Sequence, residues 1–413
     1  MSTSETPLPP QRRRSRAELA RWRTPAALLA LLAMRPGITR ARAARVLRLS
    51  SGAASELVAR LRAAHLLDER PATPHGRGRP TTELVAHPEG PLIVVVDIRH
   101  EQWQVSVSDL TVQIMATASR HHRDRAAPAV VSTLAAEVSR LRRRFGTRLR
   151  AVSVSVPATL RGEQIIQASG LGWHDVDLSA LRLERDGTPL LVGNNATLAG
   201  GAEARLGAGG GARVLLHLTV EVGIGGILVT GGVAATGSTG AGGEFGHLPL
   251  GTPGVVCPCG ALGCWDMDVD GRAMARRRGE PEPADPRAYA SAMVAAAAED
   301  ASALGAVEAC ARSLGAGAAG LVNALDPDRV TLGGLATELH ALAGDALTAS
   351  YHRGLMRFRR REPPPLLPAQ FGDDGPAVGA ALAGIDLVTS EAGLASWVDR
   401  DPHADAVGRR PVG

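Results

Sequence analysis

The chain has 413 residues, 45% hydrophobic but only 3% aromatic, with 46 basic against 41 acidic residues and a formal net charge of +5. Single cores stop growing at roughly 250 to 300 residues, so several domains are expected. No apolar run approaches the roughly 20 residues of a membrane span, and the Arg- and Pro-rich start lacks the apolar segment of a signal peptide, so the expectation is a cytoplasmic protein without membrane association. Every basic residue is Arg, which excludes a lysine-dependent phosphate loop.

Charge is uneven along the chain. Residues 1–90 hold 16 Arg against 7 acids, formally +9, and the remainder holds 30 Arg against 34 acids, formally −4. A basic head on a slightly acidic body predicts a module that binds double-stranded DNA. Residues 1–23, with the run Arg12-Arg13-Arg14-Ser15-Arg16, are expected to form a basic disordered tail. Three helices follow. The first is the apolar run Pro25 to Met34, stopped by Pro36-Gly37; Thr39 caps the second, through about Leu47; Ser50 caps the third, from Ser51 to about His65. Leu57, Val58 and Leu61 share one face of the third helix. The last two helices form a helix-turn-helix, and Asp68 to Leu84, with Gly76-Arg77-Gly78-Arg79-Pro80 at its tip, forms a wing, so residues 24–90 are expected to be a winged helix-turn-helix. Arg77 and Arg79 are candidates for a narrow minor groove; the other reading of that tip is a linker with solvated arginines. On the third helix only Ser51, Ser55 and Glu56 are polar and placed to reach base edges. Bidentate readers such as Arg, Asn or Gln are absent there, so discrimination is expected to rest partly on DNA shape and on the wing.

From residue 91 strand-like and helix-like segments alternate, which predicts α/β layers. The spacing Cys257-Pro-Cys259-Gly-Ala-Leu-Gly-Cys264, with His247 ten residues before it, supplies three thiols and an imidazole, the complete ligand set of a closed structural zinc site. A disulfide would leave one of the three clustered cysteines unpaired.

Glu244-Phe-Gly-His247 followed by that cysteine loop resembles the signature of the ROK family of repressors, open reading frames and sugar kinases. The same resemblance extends to Val152-Ser-Val-Ser-Val-Pro157 with Gly172-Trp173, to Asn194-Asn195-Ala196, to Val330-Thr-Leu-Gly-Gly334 and to Phe371-Gly-Asp-Asp-Gly-Pro-Ala-Val-Gly-Ala-Ala381. It implies a two-lobed actin-like, ribonuclease H-like sugar-kinase fold after the winged helix-turn-helix. The first lobe spans 91–195 and the second 196–385, with a last helix around Pro376 to Gly384 packing across both and a flexible tail at 386–413. It also matches Gly78-Arg79-Pro80 to the wing of the family's repressors, while Ala53 stands where the family commonly has Thr.

Residue by residue, the resemblance argues against catalysis. Kinases of the family carry Asp-x-Gly-Gly-Thr in the first phosphate loop, and this chain has Asp97-Ile-Arg99-His100-Glu101. The second loop, usually Gly-Thr-Gly, reads Glu221-Val222-Gly223. The Asp that takes the sugar hydroxyl proton is replaced by Asn195, and an amide is no general base near neutral pH. The sugar positions are better kept: Asn194, Asn195, Glu244, His247 and Ser169 match effector contacts, and Asp266 stands where the family usually has Glu. His247 would serve zinc with one ring nitrogen and the sugar with the other. The reading is therefore a transcriptional regulator, a repressor rather than an activator, that binds a sugar or sugar phosphate and works as a homodimer or dimer of dimers. Its alternatives are an active sugar kinase with an added DNA-binding domain and a regulator controlled by a protein partner with a relic sugar site.

Overall fold

The computed structural model describes residues 15–72, 82–183 and 188–400, and the chain divides into two compact units, one of residues 1–91 with 386–413 and one of residues 92–385. Among the described residues no single helix is long and apolar enough to cross a membrane.

The first unit begins with α1 (Arg16–Ala20) and α2 (Arg23–Met34), followed by α3 (Arg40–Val46) and α4 (Ser51–Ala63). Thr39 caps α3 by accepting from the Arg42 amide, and Ser50 caps α4 by accepting from the Ala53 amide, both as the sequence predicts. Leu57, Val58 and Leu61 are buried with Leu28, Leu29 and Leu32 of α2. An antiparallel ribbon of β1 (Leu67–Pro71) and β2 (Thr82–Ala86) follows, and the Leu84 amide donates to the Ile38 carbonyl, tying the ribbon to the turn before α3.

Two expectations fail here. Part of the supposed basic tail is α1, which opens with a capping box in which Ser15 accepts from the Glu18 amide and Glu18 accepts from the Ser15 amide. The supposed flexible tail after 385 is ordered through residue 400. It holds the end of α11 (Gly375–Thr389) and all of α12 (Glu391–Arg400). Leu394 and Ala395 are fully buried, the Trp397 indole donates to the Ala64 carbonyl at 2.8 Å, and Glu391 meets Arg23 at 3.4 Å. A helix of ten residues is marginal alone and is ordered by burying its apolar face. Residues 1–14 and 401–413 lie outside the described residues.

The second unit contains two five-stranded sheets of the same design. The first has β3 (Leu92–Ile98), β4 (Gln102–Ser108), β5 (Ile114–His121), β6 (Leu149–Val156) and β10 (Leu190–Asn194); α5 (Ala127–Phe145) and a small sheet of β7 (Thr159–Arg161), β8 (Gln164–Ala168) and β9 (Trp173–Asp177) accompany it. The second has β11 (Val214–Glu221), β12 (Gly223–Thr230), β13 (Val233–Ala234), β14 (Arg329–Gly334) and β15 (Leu366–Pro368), preceded by α6 (Asn195–Leu206). Helices α7 (Gly271–Arg277), α8 (Pro286–Ala296), α9 (Ala301–Leu325) and α10 (Leu335–Gly354) belong with the second sheet. In each sheet three antiparallel strands lead and two parallel strands follow on the other side of the first, giving the order 3-2-1-4-5 twice. Strand β3 is buried along its whole length, which explains its apolar run from Leu92 to Val96. Helix α11 lies close to both halves: a Cβ at Gly379 would stand 2.0 Å from the Leu198 carbonyl oxygen of α6, and one at Gly384 would stand 2.5 Å from Ile93 of β3. This repeated mixed α/β architecture matches the actin-like sugar-kinase expectation.

Candidate functional site

Open α/β sheets bind ligands beyond the carboxyl ends of their parallel strands. Here β3 ends before Arg99, β6 before Pro157, β10 at Asn194 and β11 at Glu221, and all four points line one cleft in the second unit. All six predicted effector residues, Ser169, Asn194, Asn195, Glu244, His247 and Asp266, line the same cleft.

Their hydrogen bonds give these six unequal freedom. The Asn194 side chain caps α6, accepting from the Thr197 amide at 3.1 Å and donating to the Ala158 carbonyl at 3.2 Å. It therefore fixes the start of α6, and Asn195 with it, besides facing the cleft. Glu244 accepts from the Thr159 hydroxyl at 2.9 Å. Asp266 is 8% exposed and accepts from the Ile224 amide at 2.6 Å, which anchors the shorter carboxylate at the wall. Burial holds its carboxyl above the ordinary range.

At the far wall stands the cysteine cluster. An antiparallel bridge between Val256 and Leu262, with the Cys257 amide donating to the Ala261 carbonyl, folds residues 256–262 into a tight turn. Gly260 (φ +95°) and Gly263 (φ +70°) adopt left-handed backbone that other residues resist, and this turns the sulfurs toward one point. The Trp265 amide donates to the Leu248 carbonyl, which brings His247 beside them. The ligand atoms of His247, Cys257, Cys259 and Cys264 all lie within 4.8 Å of one another. Zinc–sulfur bonds of about 2.3 Å in a tetrahedron imply ligand separations of about 3.7 Å. The Cys259 and Cys264 sulfurs are 3.7 Å apart and the Cys257 sulfur is 3.8 Å from His247 Nδ1, so the set fits zinc. Burial pushes the Cys257 thiol up to about 12; a bound cation would stabilise the thiolate there. His247 Nδ1 faces the cysteines, while Nε2 stands 3.7 Å from Glu244 Oε2 on the cleft side.

The other end of the cleft, where the phosphate loops of a kinase would lie, is packed with ion pairs. Arg99 Nε donates to Asp97 at 2.7 Å and its NH2 to the Asp373 carbonyl at 2.7 Å. Arg287 on α8 donates to Glu221 at 3.1 Å, to Glu338 at 2.5 Å and to the Ser291 hydroxyl at 2.5 Å. Burial, with Asp373 nearby, pushes Glu221 up to about 7. Arg287 is the residue the sequence reading missed: nothing near Pro286 resembles a motif, and only the tertiary fold brings it to Glu221.

In the first unit, Ser51 and Glu56 are exposed on α4, whereas the Ser55 hydroxyl donates back to the Ser51 carbonyl at 3.0 Å, committing its proton. Arg77 and Arg79 fall outside the described residues. The sequence reading also passed over Arg42, Arg45 and Arg48, which are exposed on α3 and the turn into α4. Their spacing of three was the available signal.

Two sheets of one topology, flanking a cleft lined by six polar residues at one end and by ion pairs at the other, define a protein of the sugar-kinase fold class. The ROK family model matches residues 93–386. The chain belongs to the ROK family. Its relatives include both of the family's roles. It is 28% identical over 271 residues to the glucokinase of Streptomyces coelicolor, covering 61% of this chain and 85% of that protein. It is 22% identical over 350 residues to the xylose repressor of Bacillus spizizenii, covering 83% and 89%. The solved structure of a ROK family transcriptional regulator, a homologue of the E. coli MLC protein, superposes with a TM-score of 0.70 at 20% identity, over 91% of this chain and 98% of that one, a likeness of fold.

Proposed function

We propose that this protein is a cytoplasmic DNA-binding transcriptional regulator, a repressor, whose operator affinity is set by a sugar or sugar phosphate bound in the kinase-derived cleft. The observation that carries this reading is the contrast inside the cleft: six polar residues converge on the sugar end, while Asn195 replaces the base and ion pairs fill the phosphate end. A pocket of that kind can bind a sugar but lacks the means to activate its hydroxyl.

His247, Cys257, Cys259 and Cys264 would hold a structural zinc, whose chemistry is to keep three thiolates together and fix the imidazole tautomer. Nε2 of His247 then carries the proton and can donate to a sugar oxygen, with Glu244 beside it as acceptor. In the first unit, α3 and α4 supply the helix-turn-helix and the β1–β2 ribbon the wing. Ser51 and Glu56 reach toward bases, and Arg42, Arg45 and Arg48 with Arg77 and Arg79 provide charge for phosphates and groove. Dimers pair two such readers on two half-sites. The effector acts by binding one lobe arrangement better than another, which shifts the population that fits the operator.

The test uses an operator obtained by selection from random duplex DNA and fluorescence anisotropy at several salt concentrations. Changing Arg77 and Arg79 together to Ala is expected to weaken binding and lower the salt slope by up to about 2. A groove-width reader loses more on A·T-rich than on G·C-rich flanks. No selectable operator would end the regulator reading, and sugar-dependent ATP turnover by the same preparation would favour the kinase. Unchanged affinity and slope in the double variant would return residues 76–80 to the role of linker.

A further inference from the structure

The regulator reading leaves the effector as a sugar or a sugar phosphate, and the charges at one end of the cleft decide between them. Asn195 stands where the family's kinases carry the base, and it lines the same cleft as Arg99, Glu101, Glu221 and Arg287, so a phosphate ester on the hydroxyl held at Asn195 would have to be accommodated by those groups. Two of them are cationic, Arg99 and Arg287. Both already have acceptors within the protein. Arg287 spends Nε, NH1 and NH2 on Glu221, Ser291 and Glu338, and a further carboxylate, Asp373, stands 3.9 Å away. Arg99 spends Nε on Asp97 and NH2 on the Asp373 carbonyl. His100 adds no charge, because burial and then Arg125 hold its imidazole below the ordinary histidine range.

The acceptors, in contrast, exceed the cations. Five carboxylates surround the two guanidiniums: Asp97, Glu101, Glu221, Glu338 and Asp373, of which Glu101 and Glu221 line the cleft itself. Asp97 is 1% exposed and its Oδ1 has no hydrogen-bond partner, so this end holds an unused acceptor. Burial, and after it Asp373, push Glu221 up to about 7. A phosphate monoester brings about 1.5 to 2 further negative charges at pH 7. Phosphate binding uses forked guanidiniums, backbone amides or a metal with free valence toward the anion. Here the guanidiniums already have their carboxylates.

We propose that the cleft takes an unphosphorylated sugar and rejects its phosphate ester, with Glu101 and Glu221 as the residues that set this selectivity. The proposal rests on the effector reading above and narrows it. Arg287 is the positioning residue: it holds Glu221 and Glu338 in place as an internal counter-charge, so the end needs no nucleotide and no anionic ligand to be neutralised. The same charges favour a hydroxyl or ammonium group at the position where a phosphate is refused.

The experiment is thermal shift and calorimetry on the full-length, zinc-loaded protein with matched pairs as probes: glucose, mannose and N-acetylglucosamine, each beside its 6-phosphate. At least one free sugar is expected to bind, and its 6-phosphate to bind about 100-fold more weakly or not at all. In Glu101→Gln, and in Glu101→Gln combined with Glu221→Gln, the ratio of free-sugar to phosphate affinity is expected to fall, by about tenfold per carboxylate removed. Glu101→Gln alone keeps the test open should the double variant fail to fold. A 6-phosphate that binds as tightly as its free sugar in the wild type overturns the selectivity while leaving the effector reading intact. An unchanged ratio in a folded Glu101→Gln and double variant overturns the assignment to these two residues. Absence of binding by every probe overturns the effector reading itself.

Discussion

The two ends of one cleft have different fates. At the sugar end the polar side chains are braced by the protein: Asn194 caps a helix, Asp266 rests on a backbone amide, and His247 is positioned by a cysteine cluster. At the phosphate end the glycines that would admit a nucleotide are replaced, and Arg99 and Arg287 are turned inward onto carboxylates. Recognition needs fixed donors and acceptors, whereas phosphoryl transfer also needs an open cradle for charge and a base. The difference teaches that the two requirements can be separated within one fold, because different residues carry them.

The largest expected effect comes from loosening the sugar end at its brace. Replacing Cys259 with Ser removes one of the four side chains that could hold a metal and leaves the buried Cys257 and Cys264 with only His247 beside them. Metal content should fall from about one zinc per chain toward none, as read by elemental analysis. Stability should fall by about 3 kcal/mol, or roughly 6 to 12 °C in Tm for a unit of this size. Sugar-induced stabilisation should fall as well, since His247 loses its fixed tautomer. Zinc-free wild-type protein, purified under reducing conditions and melting at its normal temperature, would remove the brace from the comparison.

A smaller effect is expected at the phosphate end, and its sign follows from Glu221. The folded state holds this carboxyl at about 7, above its ordinary 4.5, so it binds a proton more tightly than the unfolded chain does. Its contribution to stability is therefore fully present below about pH 4.5 and is lost as pH rises through about 7. The groups facing it are Arg287, Arg99, Asp373 and Glu101, and the Glu221 side chain is 38% exposed, so screening reduces the effect to about 1 kcal/mol. Glu221→Gln cannot titrate. Its melting temperature relative to wild type should rise by about 2 to 4 °C between pH 5 and pH 8, while Arg287 keeps Glu338 as a partner. A difference that is flat across this range would mean that the fold does not raise the Glu221 carboxyl.

Much of this division was legible in the sequence because its determinants are local. Cysteines a few residues apart, glycines that permit their turn, Thr39 and Ser50 before apolar periodicity, and an amide where a base belongs are all readable without coordinates. What escaped depends on distant partners. Trp397 looks like tail sequence until its indole meets the Ala64 carbonyl, 333 positions away. Arg287 is one arginine among 46 until α8 is packed beside Glu221. Asn194 reads as a ligand contact, yet its amide is spent first on capping α6 and on Ala158, because a polar side chain at a strand-to-helix junction is drawn into the local backbone before it reaches a ligand. The exposed Arg42 and Arg45 of α3, and Arg48 in the turn after it, are hard to single out for a related reason: the wing has a recognisable motif, whereas these three stand out only by their exposure in the fold.

The smallest expected change is the most discriminating. Asn195→Asp places at the head of α6 the carboxylate that a kinase of this family uses as its base, in the cleft lined by Asn194, Glu244 and His247. If loss of the base alone had silenced an otherwise intact kinase, the variant would phosphorylate a hexose in the presence of ATP and magnesium. No ADP release above background is expected in a coupled assay across several hexoses, and sugar affinity should stay within about threefold of wild type, because the two side chains share one shape and differ by a charge and a donor. The base is only one of the lost parts. On the first loop the Arg99 guanidinium donates to Asp97 and to the Asp373 backbone carbonyl, Glu221 stands on the second, and a nucleotide's phosphates would meet Glu101 as well. Restored turnover in this single variant would show that the phosphate end still accepts a nucleotide, and the contrast between the two ends would reduce to one amide.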